Sequence, residues 1–133
     1  MDTPKTFSLL LKRAPWSTQS HLSALSFAKT LIDQGHSIYR IFFYSDAVFS
    51  GTTLGVSPQD EVDIPKEWQQ LVSDHNIDLV FCISASIQRG IIDQQEAERY
   101  EKEAHNLDET AGALSGLGQL VDAIIKSDRV VTF

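Results

Sequence analysis

A chain of 133 residues fits one domain, and its 42% apolar content is enough to bury a core without disulfides or a structural metal. The net charge of -7, with Lys and Arg scattered and no basic run longer than Lys12-Arg13, excludes a chain built primarily to bind nucleic acid. Apolar runs such as Leu79-Val80-Phe81-Cys82-Ile83 fall far short of the roughly 20 residues that cross a bilayer. Phe7 to Leu11 is too short for the h-region of a signal peptide, so a cytoplasmic location and no membrane partner are expected.

Phe7 to Leu11 reads as a first strand. Pro15 to Gln19 is a loop, in which Ser17 or Thr18 is placed to cap the next segment. Leu22, Leu25, Phe27, Ala28, Leu31 and Ile32 then recur at helical spacing, and Gly35 ends that helix in the C′ role. Ser37 to Tyr44 is β-branched and aromatic, hence a second strand. Ser45 to Asp63 reads as irregular, with Gly51, Gly55 and Pro58 as breakers. Pro65 suits the first turn of a helix carrying Trp68, Leu71 and Val72. Ile77 to Ile83 is continuously apolar, as a central parallel strand should be. Helices are predicted around Asp93–His105 and Leu107–Lys126, and Arg129 to Phe133 closes as a last strand.

No repeat, low-complexity tract or linker interrupts the chain. Strands alternating with helices predict a single α/β domain over residues 1–133, with three layers and a mostly parallel sheet. In such sheets the chemistry lies beyond the carboxyl ends of the strands. Those ends fall near Ala14–Thr18, Tyr44–Asp46 and Cys82–Ser86.

Cys82, the only cysteine, therefore sits at the end of the third predicted strand. A lone cysteine excludes an intramolecular disulfide and a CxxC couple. If a helix begins at Ile83, its free N–H groups and dipole favour the thiolate at a sulfur left partly accessible by the strand end. Arg89, about two turns on, would add positive potential. The competing reading is a buried core cysteine, because free cysteine is among the most buried residue types. His21, His36, His75 and His105 fit no zinc spacing, and no metal site is expected. His21 follows the first strand's loop on the same sheet edge, which leaves a Cys82–His21 pair open beside a solvated histidine. Neither GxGxxG nor GxxxxGK[ST] occurs, which weighs against a binder of a nucleotide or anion. Gly112, Gly116 and Gly118 are placed on a helix, where small residues permit close packing against the sheet or a partner. The acids of Asp93 to Glu98 read as a solvated first turn, and Trp16, Trp68 and Tyr100 as core or interface anchors.

Four stretches in order along the chain carry a resemblance. They are Pro15-x-Ser17-Thr18-Gln19 with Ser26-Phe27-Ala28-Lys29-Thr30-Leu31; Gly35-His36 leading to Ile41-Phe42-Phe43-Tyr44; Cys82 with Arg89-Gly90-Ile91-Ile92-Asp93; and Leu114-Ser115-Gly116-Leu117-Gly118-Gln119-Leu120 ending in Asp128-Arg129-Val130-Val131. From about Phe7 to Phe133 the sequence resembles the DsrE-like sulfur-relay family, nearest its branch serving 2-thiouridine synthesis on tRNA. The resemblance implies a flavodoxin-like sheet and a sulfurtransferase that holds a persulfide at Cys82, with no cofactor; Ser84 and Arg89, close after Cys82 in the chain, are the candidate supporting residues. It further implies paralogous DsrE-like subunits in a heterohexamer, and donor and acceptor proteins with reactive cysteines; on charge, no direct tRNA binding is expected. Related scaffolds serve sulfur oxidation, and some subunits are accessory. Ser84 and Ser86 depart from the small apolar residues expected there, and Trp16 from the loop residues of relatives.

Overall fold

The computed structural model describes residues 3–16, 19–107 and 109–133. The chain runs β1 (Thr6–Leu11), α1 (Ser20–Asp33), β2 (Ser37–Phe43), a 3-10 helix (Ser45–Gly51), α2 (Ile64–His75), β3 (Asp78–Cys82), α3 (Ile83–Gln88), α4 (Gln94–Arg99), β4 (Ala113–Ser115), α5 (Gly118–Lys126) and β5 (Arg129–Thr132). The strands form one five-stranded sheet in the order β4-β3-β2-β1-β5, and every pairing is parallel.

Local chemistry accounts for most boundaries. Gly35 follows α1 at φ +86°, a left-handed conformation that glycine adopts without steric cost. Asp63 caps α2 by accepting from the Lys66 amide, with Pro65 in the first turn, and Asn76 closes that helix in the left-handed region. The proposed caps Ser17 and Thr18 lie outside the described residues.

The register sets two sheet faces. Leu9, Ile41 and Leu79 align in one row, and Leu11, Phe43 and Phe81 in the next. Phe43 meets the rings of His21 on α1 and Trp68 on α2 at 5.7 and 5.4 Å, so this parity faces those helices. Arg40, of the opposite parity, reaches the Gln119 carbonyl and Asp122 on α5. Helices therefore cover both faces, and the expected three layers are present.

Two expected helices are largely replaced. Only Gln94–Arg99 of the segment 93–105 is helical. In place of a helix over 107–126, Leu107 makes an isolated bridge to Thr52, Ala113–Ser115 joins β3 as an edge strand, and α5 starts at Gly118. The glycine at 112 thus serves a sheet contact within the chain. A Cβ there would lie 2.7 Å from the Leu79 carbonyl oxygen and 2.8 Å from the Phe81 ring. The stretch 45–63, expected to be irregular, begins with the 3-10 helix.

Candidate functional site

β3 is a central strand whose last residue is Cys82, and the chain turns at once into α3, with Cys82 in the N-cap position. The predicted placement at a strand end before a helix is correct. The predicted accessibility is not: Cys82 is 2% exposed and belongs to the core cluster. Its side chain also makes no capping hydrogen bond to the start of α3. The sulfur is packed among apolar neighbours because β3 is flanked by β2 and β4 and its turn is short, which a strand-end argument from sequence does not capture.

The supporting residues separate. Ser84 is exposed in the first turn of α3. Ser86 is fully buried, and among the described residues its hydroxyl finds no hydrogen-bond partner. Arg89, expected to lend charge to the sulfur, is committed elsewhere. Its Nε donates to Asp46 Oδ1 at 2.9 Å, Nη1 to the Ala85 carbonyl at 3.0 Å and Nη2 to Ser45 Oγ at 3.4 Å. The guanidinium therefore pins the end of α3 to the 3-10 helix, and Asp46 balances its charge. Sequence reasoning missed Asp46 and Ser45, which lie 43 and 44 residues from Arg89 with no local pattern connecting them.

His21 does not serve Cys82. Its Nε2 lies 2.6 Å from the Arg13 carbonyl and its Nδ1 accepts from the Trp68 indole at 2.9 Å. Both ring nitrogens are thereby used, as a neutral imidazole protonated on Nε2. Burial pushes its pKa down, opposed by the bond to Arg13. A second network holds α5 to the sheet: Asp122 accepts from the Tyr39 hydroxyl at 2.7 Å and from Arg40 at 2.9 Å, and pairs with Lys126 at 3.3 Å. The bonds from Tyr39, then Arg40, hold its carboxyl down at about 2.

No helix of the described residues is long and apolar enough to cross a membrane. Fold and site define a class: a parallel α/β domain with a sole thiol at the carboxyl end of a central strand. The model of the DsrE/DsrF-like family matches residues 5–133, and the chain belongs to that family. It is 42% identical to a putative sulfurtransferase DsrE of Allochromatium vinosum, across 96% of this chain and 97% of that protein. It is 40% identical to a sulfurtransferase TusD homolog of Vibrio parahaemolyticus, across 96% and 97%. A sulfurtransferase TusD of Salmonella enteritidis is 38% identical, across 96% and 98%. The crystal structure of the ychN protein from E. coli superposes with a TM-score of 0.72 at 22% identity, covering 98% of this chain and all of that one, which supports the fold.

Proposed function

We propose that this chain is a sulfurtransferase that carries sulfur as a persulfide on Cys82 and passes it between proteins. The observation that carries the reading is the position of the sole thiol, at the carboxyl end of β3 in a chain whose relatives are named sulfurtransferases. The Cys82 thiolate attacks the outer sulfur of a donor persulfide, R–S–SH. The donor S–S bond breaks, a new S–S bond forms, and R–S⁻ leaves and takes up the proton. The products are R–SH and Cys82–S–SH, with no net oxidation. With no second cysteine in the chain, a thiol on another molecule must collect the sulfur.

Intact-mass measurement after incubation with a persulfide donor tests this. One added sulfur atom is expected on the native chain and none on Cys82→Ser, whose far-UV circular dichroism should match the native spectrum. No addition, or addition to the Ser variant, refutes it. A second reading, an assembly subunit with an inert cysteine, is favoured by the burial of Cys82 and is what a null result would establish.

The sulfur is proposed to go toward 2-thiouridine in tRNA, in line with the resemblance described above and with the TusD relatives. The 2-thiouridine content of tRNA should fall when the gene is deleted; an unchanged content with impaired sulfur oxidation would favour a DsrE-type role. Assembly with related chains fits the outer face of α5, where Leu117, Val121, Ile124 and Ile125 are all more than half exposed. Sedimentation of the co-expressed paralogues decides it, a strictly monomeric chain being the contrary outcome. Direct tRNA binding is not part of the proposal, and submicromolar binding at physiological salt would contradict it.

A further inference from the structure

Sulfur carried on Cys82 must meet a second sulfur, yet Cys82 is 2% exposed. If Cys82 is the carrier, as proposed above, the described arrangement is a closed state and the chain must open locally. Cys82 is the N-cap of α3, so movement of this six-residue helix moves the residue that bears the sulfur. The 3-10 helix packs against both α3 and β3. Arg89, at the far end of α3, bonds Asp46 and Ser45 at the start of the 3-10 helix, and Ser45 itself sits at φ +53°, a costly conformation for a non-glycine residue.

The two elements that meet here are also poorly satisfied inside. Ser50 on the 3-10 helix and Ser86 on α3 are 3% and 0% exposed, and neither hydroxyl has a hydrogen-bond partner among the described residues. A buried hydroxyl without a partner destabilises the packed state and is relieved by water when the packing loosens. Arg89 and Asp46, by contrast, are partly exposed, with side-chain accessibilities of 26% and 55%, so their pair can break at small cost. Hydroxyls that favour opening thus lie behind a weak ion pair that favours closure.

We propose that the Arg89–Asp46 pair is a latch that sets how often Cys82 becomes reachable by a partner's thiol. Local opening makes the alkylation rate proportional to the open population, without global unfolding. The test is iodoacetamide alkylation of Cys82 at fixed pH, followed by intact mass, in the absence of denaturant and in low urea.

Arg89→Gln and Asp46→Asn should each raise the rate by about three- to fivefold, the size expected for a partly exposed pair. The reversed pair, Asp46→Arg with Arg89→Asp, should return the rate toward the native value, and Ser86→Ala should lower it. Lys29→Ala, which removes the Lys29–Glu67 pair on α1 and α2, should change nothing. Unchanged rates in both single variants would overturn the latch. So would an acceleration whose urea dependence matches that of global unfolding, because the opening would then not be local. Sulfur addition to Cys82 is scored separately: its failure removes the carrier reading and leaves the gating result standing, and the reverse holds equally.

Discussion

Replacing His21 by Gln should abolish a specific acid sensitivity. His21 is fully buried between Phe43 and Trp68 and spans three parts of the fold: α1, the Arg13 carbonyl after β1, and Trp68 on α2. Protonating Nδ1 would aim an N–H at the indole N–H that now donates to it. Burial of the ring adds to the penalty and is the main cause of the lowered pKa. The unfolded imidazole takes up its proton near 6.5, and the folded one only at lower pH. Below that pH the unfolded state binds more protons, so stability falls as pH falls. One proton corresponds to a slope of up to about 1.4 kcal/mol per pH unit. Gln can accept from Trp68 and donate to the Arg13 carbonyl without titrating. Urea unfolding at about pH 7.5 and about pH 5.5 should show the native chain losing roughly 1 kcal/mol more than His21→Gln. All other titrating groups are common to both proteins. Parallel stability curves over this range would refute the assignment of a neutral, doubly bonded imidazole.

Gly112→Ala should destabilise by about 1–3 kcal/mol, because the new methyl meets a backbone oxygen that cannot give way. Calorimetry should register a fall of several degrees in Tm, whereas Gly116→Ala, with nothing within 4 Å, should be close to neutral. Trp68→Phe should cost about 1–3 kcal/mol from the unpaired His21 Nδ1 alone, read by urea titration. The Asp122 carboxyl, lowered to about 2, contributes stability that is present above the unfolded carboxylate range and lost as pH falls from about 4 toward 2. Asp122→Asn should therefore be less stable near neutrality and flatter along that acid limb, as followed by circular dichroism; an acid limb unchanged in slope would contradict the network.

The central strands and the two longer helices were legible because the strands are apolar or β-branched runs, the helices repeat at helical spacing, and Gly35 and Pro65 mark the end of α1 and the start of α2. β4 was not, since three residues, Ala113 to Ser115, carry no period, and its pairing with Val80 to Cys82 is a contact between distant segments. The small residues around it read equally well as helix packing. The apolar pattern of α5 begins only after Gly118, so the sequence blurs strand and helix into one segment. Cys82 could be placed at a strand end from the run of apolar residues before it. Its burial could not, because burial depends on what closes over the strand end. The direction of Arg89 was likewise hidden: a side chain on α3 found its partner before α2, across a loop whose path no local signal specifies.

The pairing of β5 with β1 has a consequence for biosynthesis. Leu10 bonds the Phe133 amide, and the Thr6 amide bonds the Asp128 carboxylate, a separation of 122 residues. β1 lies inside the sheet in the finished molecule, but its outer edge has no neighbour until residues 129–132 have emerged from the ribosome. Translation therefore leaves this strand edge open until residues 129–132 have been made, and formation of the β1–β5 ladder must follow them. Such an exposed edge is where a nascent chain pairs wrongly with another. A chaperone that shields the stretch 6–11 until residues 129–132 are available would thus raise the yield of folded chain.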